Sequence, residues 1–197
     1  NPSTGQTSCI DASVGYFVSS SAATTQTACS PGTYQASTGQ VSCTDASAGY
    51  FVASAGSSSQ TACSAGTYQP ITGQYYCISA SPGHYVDSPA ATAQTACSAG
   101  TYNPSTASSS PSACLDASAG YHVPSPGSSS QTACSAGSYQ VSTGQASCTD
   151  ASAGYYVDST AATAQTACSA GTYQASTGQS SCTDASAGYY VDSTAAT

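Results

Sequence analysis

The sequence contains no Lys, Arg, Glu, Met or Trp, and eight Asp give it a formal net charge of −8 at neutral pH. A surface without basic residues cannot neutralise phosphates, so the composition excludes nucleic acid as a partner. It also removes the attraction to an anionic membrane surface. No apolar run is long enough to span a bilayer, so we expect no membrane insertion within this sequence.

Large aliphatic side chains are almost absent. Leu occurs once and Phe twice, whereas Ser and Thr supply 67 of the 197 residues. A conventional core cannot be built from this composition, but the regular Tyr and Cys content is not typical of a disordered chain either. The source of stability must therefore lie in the organisation of the sequence.

The eleven cysteines reveal a repeat. Their spacings alternate between 20 and 14, except for one spacing of 17 in which "NPSTASSSPSAC" carries a three-residue insertion. A Ser-x-Gly triplet recurs at a finer period of 17, and a Tyr, Phe or His follows each of its glycines two positions later. The elementary unit is therefore a 17-residue repeat of two alternating types, one with two cysteines and one with none.

We expect one continuous array over residues 1–197, built from paired repeats. Because both ends fall within a repeat, we interpret the sequence as a window from a longer array. The 34-residue pairs are 1–28 (partial), 29–62, 63–96, 97–133, 134–167 and 168–197 (partial).

Aligning the two repeat types predicts the disulfide pairing. The stretch "CSAGTYQASTGQSSC" (168–182) lies without gaps over "ASAGYYVDSTAATAQ" (151–165), so Ala151 and Gln165 occupy the two cysteine positions. Joint absence of both cysteines is expected if they are partners. The favoured pairs are Cys29–Cys43, Cys63–Cys77, Cys97–Cys114, Cys134–Cys148 and Cys168–Cys182. Cys9 is then left for a partner upstream, whereas the alternative pairing across the longer gaps leaves Cys182 unpaired.

The phrases "CSPGTYQASTGQVSC" and "CSAGTYQPITGQYYC" resemble the ephrin-receptor-like cysteine-rich repeats, which are relatives of the tumour-necrosis-factor-receptor and EGF-like modules. The resemblance covers nearly the whole sequence and implies small extracellular modules strung into a rod. Half of that family's cysteines are missing here, at Ala46, Ala80, Ala117, Ala151, Ala185 and their partners.

The repeat predicts short strands and turns. Gly after Ser-Ala or Ser-Pro indicates a tight turn, and the following aromatic residue with Val or Gln indicates a short strand. One bridge closing about 15 residues contributes only about 3 kcal/mol, so we expect each ring to pack on the turn of the neighbouring repeat. The expected fold class is a small disulfide-rich, all-β or irregular, linear tandem-repeat rod with little or no helix.

No catalytic constellation, cofactor site or metal site is predicted. His84 and His122 take positions otherwise held by Tyr or Phe, which favours packed aromatic substitutes, and the cysteines lack the CxxC spacing of zinc sites. Asp residues follow cysteines in phrases such as "CTDAS", which favours turns; calcium is the alternative, although one such carboxylate per pair of repeats does not supply its ligands locally. These residues are Asp11, Asp45, Asp116, Asp150 and Asp184.

Hydroxyl clusters near Pro or Gly in predicted loops are typical of O-glycosylated stalks. The candidates are Thr24, Thr25, Ser57, Ser58, Ser59, Ser108, Ser109, Ser110, Ser128, Ser129 and Ser130. Covalent glycans would hydrate a chain that has few charges and shield its strand edges.

The function expected from these features is structural: a non-enzymatic shaft of an extracellular filament or surface appendage that assembles with copies of itself. The cysteines indicate an oxidising compartment. The alternative is the stalk of a cell-surface receptor or adhesin whose binding domain lies outside residues 1–197. A third interpretation, ice binding, needs a ranked column of Thr, and none is expected at the period of the repeat.

Overall fold

The structure, a computed structural model, describes residues 9–197, so the first eight residues of the partial repeat 1–28 lie outside it. It consists of two-residue strands joined by turns. The first ten strands are β1 (Tyr16–Phe17), β2 (Thr27–Ala28), β3 (Thr33–Tyr34), β4 (Thr44–Asp45), β5 (Tyr50–Phe51), β6 (Thr61–Ala62), β7 (Thr67–Tyr68), β8 (Ile78–Ser79), β9 (His84–Tyr85) and β10 (Thr95–Ala96). The remaining ten are β11 (Thr101–Tyr102), β12 (Leu115–Asp116), β13 (Tyr121–His122), β14 (Thr132–Ala133), β15 (Ser138–Tyr139), β16 (Thr149–Asp150), β17 (Tyr155–Tyr156), β18 (Thr166–Ala167), β19 (Thr172–Tyr173) and β20 (Thr183–Asp184).

Each of the ten elementary repeats between residues 12 and 184 forms one hairpin. Every odd-numbered strand pairs with the even-numbered strand that follows it. In the first hairpin Tyr16 pairs with Ala28, and in the second, one repeat further on, Thr33 pairs with Asp45 in the same antiparallel register. The predicted disulfide-rich tandem repeat of short strands is therefore confirmed.

In residues 9–197, one 3-10 turn, Pro111–Ala113, lies in the loop that carries the three-residue insertion. The Cα atoms of the bridge that encloses the insertion, Cys97–Cys114, are 5.6 Å apart, against 5.8 Å for Cys134–Cys148. The insertion therefore lengthens a loop without changing the ends of the bridge, as its position in the sequence predicts.

The chain divides into two compact bodies. The first body contains the described residues up to Ser81 together with Tyr85–Thr95 and Thr106–Pro111. The second body contains Pro82–His84, Ala96–Ser105 and Ser112–Thr197.

Within each body, main-chain hydrogen bonds connect every repeat to the next one. In the first body the N–H of Gly32 donates to the carbonyl of Val52 at 2.8 Å. In the second body the N–H of Gly137 donates to the carbonyl of Val157 at 2.7 Å, which is the same bond in a later repeat. These bonds give the two-residue strands the support that an isolated hairpin lacks.

The buried interior consists of small apolar side chains and a few amides such as Gln69, not of rings. In the first body it contains Cys29, Ala46, Val52, Cys63, Ala80 and Val86. In the second body it contains Cys97, Ala117, Val123, Cys134, Ala151, Val157 and Cys168. The rings of the odd-numbered strands are half-buried, as in Tyr50–Phe51. We expect each ring to pack on the turn of the neighbouring repeat; in the structure the rings stay half-buried outside this interior, and the ring of Tyr16 faces Gly56, in a loop two repeats further on.

Glycine at the Ser-x-Gly turn is required by this close approach. Gly137 has a φ of 92°, a conformation that favours glycine, and a Cβ on it would overlap the carbonyl oxygen of Gly178, two repeats further on. The turn glycine therefore fixes the contact with the second neighbour as well as the shape of its own turn.

Candidate functional site

The loop of each repeat that forms a hairpin is closed either by a disulfide or by a hydrogen bond to a glutamine, and the two kinds alternate along the chain. These closures are the candidate functional site, because they recur in every such repeat. The structure pairs Cys29–Cys43, Cys63–Cys77, Cys97–Cys114, Cys134–Cys148 and Cys168–Cys182, which are the five pairs that the alignment favours. The first cysteine of each pair is buried and the second is half-buried. Cys9 is a free and exposed thiol in the described residues.

The cysteine-free repeats are closed by a glutamine. In the repeat that contains Ala151, the N–H of Ser152 donates to Oε1 of Gln165 at 2.7 Å. Gln165 occupies the position of the second cysteine and Ser152 directly follows the position of the first. The same bond, 2.6–2.8 Å long, joins Ser13 to Gln26, Ser47 to Gln60, Ser81 to Gln94 and Ser118 to Gln131. A hydrogen bond therefore closes the loop that a disulfide closes in the alternate repeats.

In four of the five bridged repeats a Gln amide holds the loop from inside, buried except at the half-buried Gln174. In the fifth, Asn103 takes this position, and its Nδ2 donates to the carbonyl of His84 at 2.9 Å. Gln69 is 1% exposed; its Nε2 donates to the carbonyl of Tyr76 and its Oε1 accepts from the N–H of Ile71, at 2.9 and 3.2 Å. Gln35, Gln140 and Gln174 make the equivalent pair of bonds. The cysteine-free repeats carry Val at this position, as at Val52 and Val157. Buried polar groups are tolerated only when they are satisfied, and both halves of these amides are bonded.

The two histidines lie in separate environments. The ring of His84 faces Gly127, where the ring of Tyr16 faces Gly56 in the first body, so His84 replaces an aromatic side chain as the sequence indicates. His122 lies against a disulfide instead, with Nδ1 at 3.1 Å from Sγ of Cys148.

The aspartates that follow cysteines approach loop glycines two repeats further on: Asp11 approaches Gly39 and Asp150 approaches Gly178. Within residues 9–197, the one cluster of three or more potential metal ligands is His122, Cys134 and Cys148, and it contains no aspartate. The geometry therefore gives no support to the calcium alternative.

The candidate hydroxyls for O-glycosylation differ in accessibility. Ser108 is buried, and the hydroxyls of Ser57 and Ser128 donate to the carbonyls of Ser54 and Ser125, both at 2.7 Å. The side chains of Thr24, Thr25, Ser58, Ser59, Ser109, Ser129 and Ser130 are exposed. Glycosylation itself stays a prediction, and the exposed subset is where it is expected.

A threonine column was missed from the sequence. The first residue of eight of the ten even-numbered strands is an exposed Thr: Thr27, Thr44, Thr61, Thr95, Thr132, Thr149, Thr166 and Thr183. Ile78 and Leu115 interrupt the column. The expectation that no threonine column occurs at the period of the repeat is therefore wrong. The column is hidden in the sequence because its flanks alternate between "QTAC" and "CTDA".

The sequence matches no protein-family model and no curated protein. In residues 9–197, no helix has the length and apolar character needed to cross a membrane. The five disulfides indicate an oxidising environment of the extracellular or secretory kind.

Proposed function

We propose that the chain is a non-enzymatic structural protein that forms the shaft of an extracellular filament or surface appendage. Its partners are copies of itself and covalent O-linked glycans. The resemblance to ephrin-receptor-like repeats agrees with this proposal, since it implies extracellular modules in series.

One observation carries the proposal: main-chain hydrogen bonds join each repeat to its neighbours, while the loop closures stabilise each repeat from within. The turn glycine bonds to the next repeat, as in Gly32 to Val52. The loop residue Gly56 bonds back to the carbonyl of Cys29 in the preceding repeat at 2.9 Å. Under tension, bonds that connect successive repeats at a constant register share the load, and this is the mechanical behaviour that a shaft needs.

Exposed apolar side chains supply a surface for lateral assembly. Val41 and Ile71 are 68% and 60% exposed on loops of cysteine-containing repeats in the first body, and Val141 is 64% exposed in the second body. The three side chains occupy different positions within their loops, so apolar side chains are presented at more than one point for contacts with other chains. A contact between unlike faces of identical chains, repeated along an axis, yields a fibre.

Electron microscopy of the full chain tests the proposal. Fibres with a constant axial repeat are expected, whereas a monodisperse monomer at all concentrations would favour the stalk of a receptor or adhesin. Replacing Val41, Ile71 and Val141 with Ser should weaken bundling without changing the disulfide map.

The threonine column supports a second candidate function, the binding of a regular lattice such as ice. Within each body, exposed threonines at the same point of successive hairpins would present hydroxyls and methyl groups at regular intervals: Thr27, Thr44 and Thr61 in the first body, and Thr132, Thr149, Thr166 and Thr183 in the second. Thermal hysteresis of the freezing point is the measurement, and Thr149→Lys and Thr166→Lys should abolish it. No hysteresis in the unmodified chain would exclude this function.

A further inference from the structure

His122 makes one of the five bridges chemically different from the others. It lies in β13, half-buried, with Nδ1 at 3.1 Å from Sγ of Cys148. Nδ1 or Nε2 of His122 and the Sγ atoms of Cys134 and Cys148 all lie within 4.8 Å of one another. Cys134 is fully buried, and Cys148 is half-buried.

The equivalent sequence position before the other four bridges never carries a nitrogen ligand. It is occupied by Phe17, Phe51, Tyr85 and Tyr156. Among the five bridges, only Cys134–Cys148 therefore has two sulfur atoms and an imidazole nitrogen in one place. The other four bridges of the same chain therefore serve as controls without an imidazole.

We propose that reduction of the Cys134–Cys148 bridge creates a site for a thiophilic divalent cation of the Zn²⁺ or Cd²⁺ class, held by both thiolates and by Nδ1 of His122. In the disulfide, the sulfurs carry no charge and cannot act as thiolate ligands. A phosphine reductant and one water molecule give the bridge two electrons and two protons, which produces two thiols and leaves the phosphine as its oxide. The cation then displaces the two thiol protons, and the two thiolates balance its charge.

The geometry permits this change with local motion. In tetrahedral zinc coordination, two sulfur ligands lie about 3.8 Å apart and a sulfur and a nitrogen about 3.5 Å apart. The Cα atoms of Cys134 and Cys148 are 5.8 Å apart, so a side-chain rotation of the half-buried Cys148 is enough to separate the sulfurs. The three protein ligands leave the fourth position to water, which reaches the site from the side of Cys148. With no Lys or Arg in the chain, no basic side chain opposes the approach of a cation.

The test uses the full chain and Zn²⁺ alone as the probe. The protein is reduced with a phosphine, which supplies no thiols, in the presence or absence of Zn²⁺. Free thiols are then alkylated, and peptide mapping with chymotrypsin reads each cysteine separately. Zn²⁺ is expected to slow the alkylation of Cys134 and Cys148 about tenfold or more. The alkylation rates of Cys63 and Cys77 should stay the same with and without Zn²⁺.

Two variants make the result specific to the imidazole. His122→Phe restores the residue found before two of the other bridges and should abolish the protection, while the oxidised protein keeps its five-bridge map. Phe51→His should create a second site, so that Zn²⁺ also protects Cys63 and Cys77. Equal protection of all cysteines, protection that survives His122→Phe, or no protection at all would overturn the proposal. Loss of the fold on reduction would overturn it too, because it would make the cysteines equivalent.

Discussion

The two kinds of loop closure, the disulfide and the glutamine hydrogen bond, should be interchangeable. The local stability gained when a disulfide replaces a glutamine hydrogen bond can be estimated. Ala151 and Gln165 occupy the cysteine positions of a repeat whose loop is closed by the bond between Ser152 and Gln165. Replacing both with Cys should form a sixth bridge without rearranging the hairpin of β17 and β18. A disulfide that closes about 15 residues contributes roughly 3 kcal/mol, and the hydrogen bond that is lost contributes about 1 kcal/mol. The expected net stabilisation of this repeat is therefore about 2 kcal/mol.

Hydrogen exchange is the appropriate assay, because unfolding of a repeat array need not be two-state. The N–H of Cys168 donates to the carbonyl of Gly154 at 2.9 Å and reports directly on this hairpin. A stabilisation of about 2 kcal/mol slows its exchange about 25-fold. Gln165→Ala alone, which removes the hydrogen bond without adding a bridge, should instead speed the exchange several-fold.

The reverse exchange is the matched control. Cys168→Ala with Cys182→Gln converts a bridged repeat into the glutamine-closed type, in which the introduced amide is expected to accept from the N–H of Ser169. This variant should lose about 2 kcal/mol locally and keep the other four bridges. If the Ala151→Cys/Gln165→Cys chain folded with two free thiols, the two closures would not be equivalent and the reasoning would fail.

Three further predictions follow from the packing and from the exposed hydroxyls. Gly137→Ala and Gly144→Ala both force Ala to a positive φ, 92° and 71°, but only the first would overlap a neighbouring main-chain carbonyl, since a Cβ on Gly144 meets the movable side chain of Asp116 at 3.3 Å. The overlap should cost about 1–3 kcal/mol more by chemical denaturation, and equal losses would contradict the contact two repeats away. Gln69→Leu leaves the carbonyl of Tyr76 and the N–H of Ile71 without partners and should destabilise the protein by about 2–4 kcal/mol. The control Gln74→Leu loses one surface bond to Thr72 and should change the free energy of unfolding by less than about 0.5 kcal/mol. Intact mass with β-elimination should find sugar on exposed hydroxyls such as Ser58 and Ser129 and none on the buried Ser108, and a mass equal to that of the bare polypeptide would end the glycosylation hypothesis.

The repeat length, the bridge pairs and the turn glycines could be predicted from the sequence because each leaves a direct trace in it. A disulfide requires two residues at a fixed separation, so the joint absence of both cysteines at Ala151 and Gln165 identifies partners. A turn with positive φ requires Gly in most cases, so the turn glycines from Gly15 to Gly188 recur every 17 residues, except for a step of 20 at the insertion. These are constraints on residue identity at single positions, which one sequence can reveal.

The contents of the core could not be predicted, because they depend on how closely two repeats approach. Tyr and Phe are the largest apolar side chains in the chain and were the natural candidates for its interior. In the structure Ala46 and Cys63 are fully buried, whereas the rings of the odd-numbered strands are half-buried. Nothing local in the sequence distinguishes the buried Gln69 from the surface Gln74, since each lies in a loop rich in Thr and Gly.

The glutamine closure, by contrast, could have been predicted from the alignment of the two repeat types. Gln26, Gln60, Gln94, Gln131 and Gln165 occupy the second cysteine position in the cysteine-free repeats whose loops the structure describes in full. Their role is not evident from the glutamines alone. Each one accepts from the main-chain N–H of the Ser that directly follows the first cysteine position, and not from a side chain. Sequence patterns reveal pairs of side chains more readily than a side chain paired with the backbone.

The alternation of closures follows from how the repeats are bonded. A cysteine-free repeat cannot open its loop alone, because its turn glycine donates to the next repeat and its loop residue donates to the preceding one, as Gly154 does to Gln174 and Ala161 does to Cys134. The glutamine-closed loops of Gln60, Gln94, Gln131 and Gln165 are therefore each held between two covalently closed loops, and the closure of each needs only about 1 kcal/mol from one hydrogen bond. A bridge in every second repeat is enough for this arrangement, since every loop then lies beside a constrained one. The same bonding explains why a chain with one Leu and two Phe folds at all: its stability is shared between neighbouring repeats and does not depend on a core of large side chains.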